Sequence, residues 1–157
     1  MDQQIAFVMK EEILRNTLKT HAVILVTGWP GTGKTATALK AGRDLGDVFY
    51  YSSSGAERKS VAVFNDSAMV VDDIDVLSSL QSEQPVLIVD EAQKLSEHAL
   101  TVVRGLIEKN PENRKIVLIS SVVAGVKDLL SRMDAVLRFT QDTAEIMHTR
   151  LRDLNPI

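Results

Sequence analysis

The sequence predicts an α/β domain, a three-layer αβα sandwich with helices on both faces of a five-stranded parallel sheet. Residues 86–90 (VLIVD) and 115–121 (KIVLISS) are continuous apolar runs of strand length, the pattern of parallel strands buried on both faces. Strand-like and helix-like stretches alternate from one end of the chain to the other, the order that βαβ units require. With 157 residues, 45% of them hydrophobic, the chain can bury one sizeable core and is too short for two full domains. No internal repeat, low-complexity tract or linker divides it, so residues 1–157 are expected to form one domain.

Each element has its own signal. Ile5, Val8, Met9, Ile13 and Leu18 recur at three- to five-residue spacings and predict an amphipathic helix within residues 1–20. The first strand is AVILVT, 22–27; after a glycine-rich turn, TATALKAGRDL forms a helix that stops near Gly46. DVFYYSSS, 47–54, reads as the second strand, closed by Gly55. Short helices are expected near 58–65 and 73–81 before Pro85 introduces the buried strand VLIVD. Ser96 is the N-cap of a helix through EHALTVVRGLIEKN, which Asn110-Pro111 terminates. After KIVLISS come a helix over about 125–132, a fifth strand AVLRFT at 135–140, and a final helical stretch capped by Thr143.

Composition narrows the function. Without cysteine there is neither a disulfide framework nor a cysteine zinc site, which suits a cytoplasmic setting. The N-terminus lacks the basic start and apolar core of a signal peptide, and no apolar run approaches the ~20 residues of a membrane span. A net charge of −3, from 18 Lys plus Arg against 21 Asp plus Glu, argues against autonomous tight binding of nucleic acid, while leaving room for a local basic face in an assembly.

Residues 28–35, GWPGTGKT, fit G-x-x-x-x-G-K-[ST] at every fixed position, between a strand and a helix as the phosphate-binding P-loop requires. Glycines let backbone N–H groups curl around an anion, and the helix that follows adds its unsatisfied N–H groups and positive dipole end. The nucleotide-holding set is Gly28, Trp29, Pro30, Gly31, Thr32, Gly33, Lys34, Thr35 and Ala36, with Lys34 on the β and γ phosphates of ATP. Thr35 and Asp90 are the expected Mg²⁺ ligands. Asp90 and Glu91 end a buried strand at the edge where open α/β sheets bind ligands; Asp90 holds the metal shell and Glu91 orients or deprotonates the attacking water. Lys34, Glu91 and Ser121 are the candidate catalytic residues that the motifs themselves supply.

Ser121, at a strand end, suits either a γ-phosphate contact or a plain turn. Arg132 ends a helix and Arg138 lies in the last strand, positions that dipole and packing explain without catalysis. The run Asp72-Asp73-Ile74-Asp75 reads as helix-start acids on a solvated face rather than a metal site. His21, His98 and His148 show no ligand spacing. Trp29 packs beneath the loop, meets a partner, or is merely tolerated.

The order of these segments resembles the AAA+ ATPases, and more narrowly the small subunits of sliding-clamp loaders, over about residues 22–151. GWPGTGKT is similar to that family's GPPGTGKT, and VLIVDEAQKLSEHALTVVRGLIEKN resembles its Walker B strand and following helix. In the latter, Arg104 and Glu108 fall on positions of the family's A-L-R-R-x-M-E segment. The resemblance implies a sensor role for Ser121, where clamp loaders usually carry asparagine. It implies that Arg132, within LLSRMDAVLRFT, is an arginine finger reaching ATP bound by a neighbouring subunit. SRM stands in place of S-R-C, and DEAQ in place of D-E-A-D or D-E-A-H; DEAQ also resembles transposition and secretion ATPases of the same class. Residues 141–157 are the expected remnant or start of a helical lid. With the rest of the lid and the collar missing, the expected chain is a reduced protein, a fragment, or a subunit relying on others.

The function these readings predict is an ATP-binding, ATP-hydrolysing module acting in a homo- or hetero-oligomer, on DNA and with a replication or recombination protein. The alternatives are a nucleotide-dependent regulatory subunit with negligible turnover, an accessory ATPase of transposition, secretion or packaging, or a small-molecule P-loop kinase. The last would need an arginine-rich lid and an acceptor pocket, whereas the DEA box favours water.

Overall fold

The computed structural model describes residues 2–65, 67–111 and 113–149. Strand periodicity sets its layers: Ile24 and Val26 point into one core, and the intervening Val23 and Leu25 into another. The strands are β1 (Val23–Gly28), β2 (Asp47–Ser52), β3 (Met69–Val70), β4 (Pro85–Asp90), β5 (Lys115–Ser120), β6 (Ala135–Phe139) and β7 (Ala144–Thr149). Helices α1 (Gln3–Thr20), α2 (Lys34–Arg43) and α3 (Gly55–Phe64) cover one face. The other carries a 3₁₀ turn at Ile74–Ser79, α4 (Glu97–Glu108), a 3₁₀ turn at Val123–Val126, and α5 (Lys127–Leu130). Among the described residues no helix is long and apolar enough to cross a membrane.

The sandwich is the one the sequence predicts, but its sheet has seven strands rather than five, in the order β3-β2-β4-β5-β1-β6-β7. Two-residue β3 is too short to leave a periodic signature. β7 replaces the expected final helix and runs antiparallel to β6. The reason lies in the turn between them. Thr143 does not cap a helix: its N–H donates to Thr140 Oγ1 (3.0 Å), and its carbonyl accepts from the Thr140 N–H (2.8 Å). This locks Gln141 and Asp142 into a two-residue hairpin connection. Residues 150–157 of the expected lid segment lie outside the described residues.

Helix α1 forms where expected, with a different buried face. Ala6, Lys10, Leu14, Thr17 and Leu18 point inward, while Ile5, Val8 and Met9 are exposed. The remaining boundaries shift modestly. Ser54 caps α3 three residues earlier than expected, accepting from the Glu57 N–H at 3.2 Å, and Ser96 caps α4, accepting from the Ala99 N–H at 3.1 Å. The expected helices near 73–81 and 125–132 are a 3₁₀ turn and a 3₁₀ turn running into α5.

Strand order is what positions the site. β5 lies between β1 and β4, paired Thr27 to Ser120 on one side and Val89 to Leu118 on the other. The carboxyl ends of all three strands therefore open side by side; β1 leads through α2 to β2 on one side, while β5 leads to β6 on the other side of β1, the kind of switch point where ligands bind. Because α1 contributes fully to the core, Leu14→Ala, at 0% exposure, should lower stability by about 2–5 kcal/mol in urea unfolding. The control Val63→Ala, at 86% exposure, should stay within about 0.5 kcal/mol.

Candidate nucleotide site

The turn between β1 and α2 has glycine at all three of its positive-φ positions, Gly28, Gly31 and Gly33. Gly28 has φ +142°, and a Cβ there would collide with the Phe139 carbonyl oxygen. Gly33, left-handed at φ 81°, is the N-cap of α2 and offers no side chain to its first-turn amides; the first turn holds no acid either. Those amides are directed at the pocket with the positive end of the helix dipole. Thr32 Oγ1 donates to the Trp29 carbonyl at 2.8 Å, and Lys34 Nζ donates to the carbonyls of Gly28 and Trp29, both at 2.8 Å. The Lys34 ammonium thus spans the inside of the loop. Burial lowers its pKa, and the charge of Asp90 opposes that shift.

Facing the loop, the buried Asp90 carboxylate gathers three donors. Its Oδ2 accepts from Thr35 Oγ1 (2.7 Å) and from the Tyr50 hydroxyl (2.6 Å), and its Oδ1 accepts from the Glu91 N–H (2.8 Å). The structure therefore brings together the two expected metal ligands. A hydroxyl and a carboxylate are hard oxygen donors, and Mg²⁺ commonly takes one or two protein oxygens with water and phosphate completing its shell. Among the described residues no group of three His, Cys, Asp or Glu could hold a metal ion. Glu91 adopts φ 49°, ψ 47°, a left-handed conformation uncommon outside glycine, and its Oε2 lies 3.3 Å from Lys94 Nζ.

Two members of the site escaped the sequence reading. Tyr50, 0% exposed, reaches Asp90 from β2, which pairs with β4 through Tyr50 and Ile88. Burial first, then the charge of Asp90 and the bond to it, push the phenol pKa well above its usual range, so it stays a donor. Glu57 is a third acid in the pocket, its pKa raised by burial and then by Asp90 and Glu91. Ser54-Gly55-Ala56-Glu57 has the spacing of a helix-capping box, a signal that could have placed Glu57 at this rim.

The pocket, about 580 Å³, is lined by Pro30, Gly31, Gly33, Lys34, Thr35 and Ala36 of the loop, and by Glu57, Asp90, Glu91, Gln93 and Ser121. Gly28, Trp29 and Thr32 shape the loop without lining it. Ser121 sits just past β5, where Gln93 Nε2 donates to its hydroxyl at 3.4 Å. Trp29 does not pack beneath the loop. It is 80% exposed, at the lip of a second groove of about 990 Å³ walled by Val122, Val123, Leu130, Val136 and Met147. Pro30 and Ser121 line both spaces. The groove is the larger of the two, but acids, lysine and helix amides converge on the smaller.

Arg132 is not brought to this pocket. Its guanidinium donates to Glu108 Oε1 (3.0 Å) and to the Asp128 carbonyl (3.2 Å), while Arg104 pairs with Asp128 at 3.2 Å. Arg104 and Glu108 thus tie α4 to the segment carrying Arg132. Arg138 pairs with Glu145 across the hairpin at 2.6 Å. The acidic run is solvated and structural: Asp72 pairs with Arg58, Asp73 accepts from the Asp75 N–H, and Asp75 pairs with His98. His21 bonds within the end of α1.

Comparison with known proteins agrees with this geometry. A family model described as ATPase family associated with various cellular activities (AAA) matches residues 24–141. Human replication factor C subunit 4 is 26% identical over 141 residues, covering 83% of this chain and 39% of that protein. Replication factor C small subunit 2 of Pyrobaculum arsenaticum is 23% identical over 133 residues, covering 82% and 41%. The chain therefore spans about two fifths of the length of the curated relatives it matches. Among solved structures, a DNA polymerase III gamma subunit-related protein from Thermotoga maritima superposes with a TM-score of 0.54 at 15% identity, covering 83% of this chain and 46% of that one, a likeness of fold.

Removing the Tyr50 hydroxyl leaves a buried carboxylate short of a donor, so Tyr50→Phe should cost about 1–3 kcal/mol near neutral pH. A pKa raised by folding gives stability that is complete below the phenol's ordinary value and is lost as pH rises beyond it. Urea unfolding followed upward through about pH 10 should show a steeper alkaline loss in the wild type than in Tyr50→Phe.

Proposed function

The chain belongs to the AAA family of ATPases, and from that premise we propose that it binds and hydrolyses ATP with Mg²⁺, as a clamp-loader-like module of an oligomer in DNA metabolism. The observation that carries the reading is the 2.7 Å contact between Thr35 and Asp90, which joins the phosphate loop to the acid pair. Thr35 and Asp90 would hold Mg²⁺, which would supply positive charge beside the phosphates. Lys34 would exchange the Gly28 and Trp29 carbonyls for β and γ phosphate oxygens, while the first-turn amides of α2 cradle the remaining charge. Glu91 is the group to orient and deprotonate an attacking water, and Ser121 hydrogen-bonds near the γ-phosphate.

Arg132 fits a role in trans, because it lies away from its own pocket, beyond α5 and beside Glu108. A second subunit presenting its Arg132 would add positive charge to the γ-phosphate at the moment of transfer. The names of the relatives support replication-type work on DNA with partner subunits. A nucleotide-gated subunit with negligible turnover is the second reading, favoured by the contact between Glu91 and Lys94 at 3.3 Å.

Single-turnover hydrolysis separates the two. Glu91→Gln should retain ATP binding and slow hydrolysis by about 10²- to 10⁴-fold; an unchanged rate would sink the hydrolytic assignment. For assembly, the specific ATPase activity of the wild type should rise with protein concentration or with primed DNA and partner subunits. Arg132→Ala should abolish that increment, about 10³-fold or more in a saturated assembly. Activity independent of concentration and indifferent to Arg132→Ala would overturn the trans role.

A further inference from the structure

The inward stripe of α1 contains a charge. Lys10 is 4% exposed, between Ala6 and Leu14, where an unpartnered ammonium would be strongly disfavoured. Its Nζ donates to the Thr32 carbonyl at 2.8 Å and to the Gln141 carbonyl at 2.9 Å, and stands 5.8 Å from the centroid of the Phe139 ring. One side chain therefore joins three elements: the N-terminal helix, the phosphate loop, and the turn of the β6–β7 hairpin. Burial lowers its pKa, and the charge of Asp142 opposes the shift.

The bond to Thr32 acts on the loop through peptide geometry. The Thr32–Gly33 peptide is trans, so its carbonyl and N–H point in opposite directions. With the carbonyl held toward Lys10, the Gly33 N–H is turned to the other side of the loop. Lys34 grips the same loop from inside, on the carbonyls of Gly28 and Trp29. Two lysines thus hold opposite sides of one anion-binding turn, and only Lys34 is free to trade its carbonyls for phosphate.

We infer that Lys10 is a positioning residue for phosphate binding, fixing the loop from behind so that its amides are arranged before the nucleotide arrives. The inference rests on the reading of residues 28–36 as a nucleotide site. It extends that site to a residue outside the matched segment 24–141 and makes α1 part of the binding machinery. A prearranged loop lowers the ordering cost of binding for any ligand that uses the phosphate cradle, whatever base it carries.

Calorimetric titration of the whole chain with MgATP and with magnesium tripolyphosphate tests this. Lys10→Met should weaken both by the same factor, about 10- to 100-fold from two lost charge-assisted bonds. Circular dichroism should show the fold retained, and Lys10→Arg, which keeps donors, should recover most of the loss. Undiminished binding in Lys10→Met, or a loss confined to MgATP, would overturn the inference while leaving the nucleotide reading standing. Failure of the wild type to bind either ligand would overturn both. Should Lys10→Met not fold, Lys10→Gln, with one neutral donor, decides by the same outcomes.

Discussion

Oδ2 of Asp90 accepts from Thr35 on α2 and Tyr50 on β2, while Oδ1 accepts from the backbone of Glu91 on the turn after β4. Three segments distant in sequence meet at this one carboxylate, and buried carboxylate oxygens need hydrogen-bond donors in place of water. The requirement runs both ways. The buried oxygens of Asp90 are satisfied by the three donors, and the donors are oriented by those oxygens. The spacing of loop to acid pair depends on this arrangement, as does the left-handed turn at Glu91 that follows.

The loop itself is held by a second set of bonds, independent of the first. Carbonyls of Gly28 and Trp29 face Lys34, and that of Thr32 faces Lys10. The close approach of Gly28 to the Phe139 carbonyl adds β6 to the frame. The phosphate loop is therefore braced by α1 and α2 on one face and by β6 of the sheet, rigid elements that do not leave it to loop chemistry alone.

Local chemistry made some of this readable in the sequence. The glycine loop and the buried strand ending in Asp90-Glu91 announce themselves because anion binding and double-sided burial each demand a narrow set of residues. Tertiary choices were harder. Tyr50 looks like any strand aromatic until β2 is laid beside β4, and Lys10 looks like a solvent-facing lysine until α1 turns its Ala6–Leu14 stripe inward. Residues 141–149 could serve helix or strand by pattern; the side-chain bond between Thr140 and Thr143 decided for a hairpin. The role proposed for Arg132 comes only from resemblance, since nothing within one chain requires it to be near a phosphate.

Trp29 is the single tryptophan of the chain, and it stands at the lip shared by the phosphate loop and the apolar groove. Indole emission shifts to shorter wavelength when water is removed from the ring. The protein therefore carries its own optical label at one address: light excited selectively from indole comes from the loop and nowhere else. Whatever covers that groove, or reshapes the turn behind Pro30, would be recorded as a change of colour without any added dye.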